Sequence, residues 1–216
     1  MMESKENFME SSNSSQSGEH TISGLSDSPV AHVLFGDVRL AWIWLILRVY
    51  IGYEWISAGW EKLHSPAWVG GNAGTALAGF VKGALTETSG AHPAVQGWYG
   101  WFLQNIVLPN VGIWGYAISI GETLVGAALV LGIFTGIAAF FGSFMNFNYL
   151  LSGAVSINPV LFVIATWLVL AWKTAGWIGL DHWVLPALGA PWSPGFIFKH
   201  EEVVDQTSRT TGRSHA

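Results

Sequence analysis

Arg48, Glu122 and Asn146 are polar residues set inside long apolar runs. Arg48 opens the stretch RVYIGYEWISAGWEKL. At about 100° per residue it shares one helical stripe with Gly52, Trp55, Gly59 and Lys62. Glu122, in IWGYAISIGETLVGAALVLG, shares a stripe with Gly115 and Gly126, and Asn146 shares one with Gly142, Tyr149 and Gly153. Small residues let a neighbouring backbone come close, so these stripes should face other helices. An inward arginine could bind an anionic or carbonyl oxygen. A carboxyl in a low-dielectric site could accept or relay protons. The Asn146 amide brings both a donor and an acceptor, and Trp55 and Tyr149 would supply apolar walls. Glu54 lies roughly 120° around the helix from Arg48, placed for a second contact or an interfacial pocket.

Two readings of this set stand. Arg48 and Glu122, each near the middle of its run, would pair or bracket one polar ligand. Alternatively they would fix helix packing and do no chemistry. Burying an arginine at mid-membrane costs at least about 2.5–3.5 kcal/mol unless it is paired or hydrated, and both readings meet that cost. Thr166 and Lys173 are the polar features of the last run, with Asp181 and His182 at its exit.

The elements that must hold these residues are apolar. The chain is 51% hydrophobic and 11% charged, with 13 Trp, 26 Gly and a mean hydropathy of +0.41. Soluble domains carry about 25% charged residues. Four runs approach the roughly 20 residues that cross a bilayer core: about Arg39 to Trp60, Val111 to Leu131, Phe134 to Gly153 and Pro159 to Trp177. The joins GIFTG and SINP are short, with Asn158 placed to cap and Pro159 to enter the first turn of the last helix. The expected fold is all-α, an integral membrane up-and-down four-helix bundle.

The connection from Glu61 to Asn110 reads as helical and interfacial. It contains AGTALAGFVKGALTE and then a segment with Trp98, Tyr99, Trp101 and Phe102. It would decorate the membrane surface or form a lid over a site at that face. Three domains are expected: a disordered Ser-rich acidic tail (1–35), the helical body (36–185), and an interfacial then disordered polar tail (186–216). The N-terminal tail lacks the pattern of a signal peptide. Lysines and arginines near the span ends favour cytoplasmic termini, so the expected location is the cell membrane, multi-pass.

Several chemistries are excluded. With no cysteine there is no disulfide, thiol nucleophile or cysteine-held iron–sulfur cluster in this chain. All seven histidines lie outside the four runs, which argues against internal bis-histidine haem ligation, and no metal site is expected. There is no Gly-rich nucleotide loop, HExxH or GxSxG. No Lys/Arg-rich stripe suggests nucleic acid. Any redox role needs a diffusible or partner-held cofactor.

The ordered pieces R-x3-G-x6-G-x2-K (Arg48, Gly52, Gly59, Lys62), GETLVGAALVLGIFTG, FMNFNYLLSG and GLD ending at Asp181 resemble the DoxX/DoxD family of small four-helix membrane proteins. The likeness covers about 40 to 185. It implies a membrane subunit of a quinone-linked oxidoreductase, with thiosulfate as donor and a second subunit in DoxD-like members. Arg48 and Glu122 would then be catalytic. Glu54, Trp55, Lys62, Asn146, Tyr149 and Asp181 would bind substrate or quinone, the diffusible acceptor. The alternative the family implies is a non-catalytic scaffold that anchors a soluble redox or thiol-stress partner. Lacking cysteine, the chain would handle a sulfur substrate without a thiolate.

Overall fold

A computed structural model describes residues 28–190. Among these residues every regular element is helical. Most of the expected N-terminal tail and the end of the C-terminal tail lie outside the described residues. The exception is a correction: Pro29–Gly36, inside the stretch expected to be disordered, forms helix α1. Ser28 caps it, Pro29 starts it, and Phe35 stacks on Trp44 at a centroid distance of 5.9 Å. Phe35 thus finds a partner that composition alone did not reveal.

The main helices follow in order. They are α2 (Ala41–Leu63), α3 (Thr75–Thr86), α4 (Gly97–Phe102), α5 (Val111–Leu131), α6 (Thr135–Leu151) and α7 (Asn158–Leu170), then the short α8 (Trp172–Ala175) and α9 (Asp181–Leu188). α2 packs on α5, α5 on α6, α6 on α7, and α7 back on α2, so four helices close a ring. Trp44, Ile51, Leu129, Ala139, Ala165 and Leu168 fill its core. The polarity is inverted relative to a soluble bundle. Arg48, Ser119, Glu122 and Asn146 are buried, whereas Ile46, Leu124, Phe140 and Val163 are exposed.

Length departs from expectation. Among the described residues, only Gly97–Leu131 is a continuous helical stretch long and apolar enough to cross a membrane by itself. α1 together with Val38–Leu63 meets the test only as a pair bent by 50°. α7 has 13 residues, about 20 Å at helical rise, because the expected fourth run breaks at Ala171 and resumes as α8. Asn158 does not cap α7; its amide donates to the Ala154 carbonyl from inside the first turn, beside Pro159. The aromatic connection also differs from a surface decoration. α4 runs through a π-helical turn, Leu103–Val107, and a 3-10 turn into α5. With α3 it builds a second core around Leu77, Val81, Tyr99 and Leu103.

The α2–α5 contact sets the register of the site. The helices run antiparallel, with Gly52 against Gly126 and Gly59 against Glu122 and Thr123. A Cβ on Gly126 would lie 2.5 Å from the Ile56 backbone nitrogen and 2.7 Å from the Gly52 carbonyl oxygen. Because backbone blocks it, Gly126→Val should destabilise the protein by about 1–3 kcal/mol or more. Thermal unfolding in detergent, followed by circular dichroism, reads this directly. An unchanged midpoint would mean that the helices do not meet here.

Candidate functional site

Helices α2, α3, α5, α6 and α7 and two connecting loops line a cavity of about 290 Å³. That is near the lower limit for a ligand pocket. The last three turns of α2 supply Glu54, Trp55, Ala58 and Lys62. α5 supplies Glu122, and α6 supplies Tyr149. Phe80 of α3 and Trp68 of the preceding loop close it. That loop is clamped to α5 where Gly74 meets Val111 and Gly115 meets the Trp68 carbonyl, two contacts that leave no room for a side chain. The Gly70 N–H also donates to the Tyr116 hydroxyl at 2.8 Å. The connection therefore walls one side of this cavity.

Glu122 is the centre of this cavity. Its carboxylate is 1% exposed and accepts from Lys62 Nζ at 2.7 Å through one oxygen and from the Tyr149 hydroxyl at 2.5 Å through the other. Lys62 is 17% exposed and sits 5.1 Å from the centre of the Trp68 ring. An aromatic face favours a cation held there. Thus a buried carboxylate, a phenol and a partly exposed ammonium form one hydrogen-bonded unit. Tyr149 stacks near Trp55 at 6.5 Å and meets Phe80 edge-on at 6.2 Å. Ala58, Ala154, Ile157 and Leu161 add apolar wall, and Glu54 and Asn158 add polar groups.

Asn146 lies one turn before Tyr149 on the inner face of α6 and is fully buried. Neither its amide nitrogen nor its oxygen has a hydrogen-bond partner, and the same holds for the indole nitrogen of Trp55. Buried polar groups in native proteins are almost always satisfied by protein, water or ligand. These three atoms lie along the Trp55 side of α6, where the indole faces Gly142.

Arg48 and Asp181 belong elsewhere, which corrects the expectation that Arg48 joins Glu122. Ten residues of chain separate Glu122 from Gly132, about 15 Å at helical rise, and Arg48 packs against Gly132. Its two terminal nitrogens donate to the carbonyls of Ala175 and Ile178 at 2.9 and 2.8 Å. Those carbonyls are left over where α8 ends, and helix-end carbonyls need donors. Asp181 accepts from the backbone N–H groups of Phe134 and Thr135 at 2.6 and 2.8 Å. It thereby holds the start of α6 and the strained turn in which Phe134 takes φ 48°. Asp181→Ala should cost about 1–2 kcal/mol, the range for a lost helix cap. It should leave ligand affinity at the Glu122 cavity unchanged. A shifted affinity with an unshifted melting point would return Asp181 to the binding site.

The DoxX family model matches residues 43–152. The chain belongs to the DoxX family. The DoxX match runs from the first turn of α2 to the end of α6, so it contains Glu54, Trp55, Lys62, Glu122, Asn146 and Tyr149 and leaves out Asp181. DoxX is a membrane family, in keeping with the apolar outer faces of the helices. No curated protein and no solved structure matches the chain.

Of the expected site residues in this DoxX chain, the structure brings Glu54, Trp55, Lys62, Glu122 and Tyr149 to one cavity. Asn146 stands beside it, and Arg48 and Asp181 are at the other end. Phe80 and Trp68 are cavity residues that the sequence did not mark. The only hint was that their segment had helical character and connected two apolar runs. Among the described residues no cluster of His, Asp or Glu could hold a metal ion.

Proposed function

We propose that this protein is the membrane subunit of a quinone-linked oxidoreductase and that the quinone ring binds against Glu122. One observation carries the reading. The buried Glu122 carboxylate binds Lys62 and Tyr149 at the polar end of a cavity whose other walls are mainly aromatic and aliphatic. Reducing a quinone to a quinol takes two electrons and two protons. The protons must reach ring oxygens in a site that excludes bulk water. Tyr149 gives its hydroxyl proton to such an oxygen, Glu122 takes a proton from Lys62 and passes it to the Tyr149 oxygen, and Lys62 is reprotonated from the exterior, once for each of the two protons. Trp55 and Phe80 position the ring.

The electrons come from a partner subunit. The DoxD likeness makes thiosulfate the donor to test first: two thiosulfate ions joined through sulfur release the two electrons needed. In this reading α2, α5, α6 and the α7–α8 pair each cross the bilayer. Arg39 and Lys173 then flank the cytoplasmic side, and the Lys62 end faces the other.

The test is quinol formation by the purified protein in nanodiscs with thiosulfate, alone and with the products of neighbouring genes. Thiosulfate-dependent quinol formation is expected. No reduction in any combination, with helical content intact and no quinone bound, would overturn the reading and leave the role of a membrane anchor for a soluble redox partner.

A further inference from the structure

A second cavity, about 170 Å³, lies beside the first and is lined by α3, α4, the π-helical turn, α5 and α6. Its walls are apolar, among them Leu77, Val81, Leu103, Val107 and Ile118. Tyr99, one of two phenols that line it, donates its hydroxyl proton toward Asn148, whose carbonyl and side-chain oxygens both lie at 3.1 Å. Phe80 and Tyr149 line both cavities, and their edge-to-face contact is the partition between them. On the far side Phe144, 55% exposed on the outer face of α6, marks the mouth. The route from the outside therefore runs from an apolar helix surface through an apolar chamber to two aromatic rings and then to Glu122.

We propose that this chamber receives the hydrocarbon tail of a lipid-soluble ligand whose polar ring sits in the Glu122 cavity. The proposal rests on the quinone reading and specifies its substrate class: a long-tailed quinone that enters from the bilayer between α5 and α6, rather than a short, water-soluble acceptor. The order of polarity is the argument. A tailed quinone has a polar ring at one end and only hydrocarbon behind it, and the two cavities repeat that order across a shared wall. The π-helical turn adds an independent observation. Such turns within longer helices recur at functional sites, and this one brings Leu103 and Val107 into the chamber wall.

A tail that moves from lipid into this chamber exchanges one apolar surrounding for another, so the useful readout is steric. The full chain in nanodiscs is labelled with a tail-less azidoquinone, and protection is titrated with two competitors. These are decylubiquinone and its tail-less parent ring. Val81→Phe, which fills the chamber, should raise the half-protecting concentration of decylubiquinone about tenfold, a factor worth about 1.4 kcal/mol. The tail-less ring should stay within about twofold, below the size of effect that a one-residue steric block produces. Comparing variant with parent in the same lipid cancels membrane partitioning. If Val81→Phe fails to fold, Ile118→Trp at the chamber's half-buried edge carries the same expectation. Equal shifts for both competitors, or none for either, would overturn the tail site while leaving the ring site standing. Absence of protectable labelling in the parent protein would overturn the quinone reading itself.

Discussion

Tyr149→Phe should lower quinone reduction by about 10²–10⁴-fold, the usual contribution of a positioned acid or base, with the fold and ring affinity close to the parent's. The substitution removes one oxygen. The phenyl ring still stacks near Trp55 and meets Phe80, so the aromatic wall persists. Glu122 keeps Lys62 as its partner, so no buried charge is left alone. Only the donor that touches the ring is lost. Glu122→Gln is a less clean test, because it leaves the Lys62 ammonium without its counter-charge, and breaking a buried pair carries a stability cost of its own. The decisive figures are kcat and KM for the quinone under saturating donor. A fall in kcat at constant KM is expected. A fully active Tyr149→Phe protein would remove the phenol from the chemistry and leave it a packing role.

Arg48→Ala should be the most destabilising polar substitution in the ring, by about 3–5 kcal/mol, since it ends two hydrogen bonds to a charged group worth about 1.5–3 kcal/mol each. The guanidinium is 1% exposed and fills the space between Gly132 and Gly179. It supplies the donors for two carbonyls at the end of α8. The segment it holds docks on the α5–α6 turn through Leu180 N–H to Leu131 and Asp181 N–H to Gly132. Removing Arg48 therefore leaves two carbonyls without donors and a void in one place. Melting in detergent should show a large drop, and protein that remains folded at low temperature should protect quinone as the parent does. Normal stability with lost quinone binding would instead make Arg48 a ligand residue.

The difference between Arg48 and Lys62 shows how far sequence could reach. Both lie on one stripe of α2, and that stripe does face α5. A stripe fixes the side of a helix that is buried but not the height at which two helices are matched. Height is set by the glycine contacts, Gly52 on Gly126 and Gly59 on Glu122. Those put Lys62 within reach of Glu122 and Arg48 at the opposite end. Matching by depth within each run therefore chose the wrong cation. The bounds of α5 were legible because Asn110 and Gly132 punctuate it. The break in the fourth helix was not, since the apolar run continues through Ala171 and Trp172. What frees those carbonyls to bond Arg48 is a tertiary event. Phe80 and Trp68 were invisible for a similar reason, because nothing local says that their segment folds back over Lys62.

The most direct test of the account is to map where a photoreactive quinone attaches to the full chain in nanodiscs. Labelled peptides should carry the adduct on Trp55, Ala58 or Tyr149, and excess long-tailed quinone should abolish it. Adducts confined to outward-facing residues such as Trp98 and Trp101, unaffected by competitor, would contradict a quinone site at Glu122.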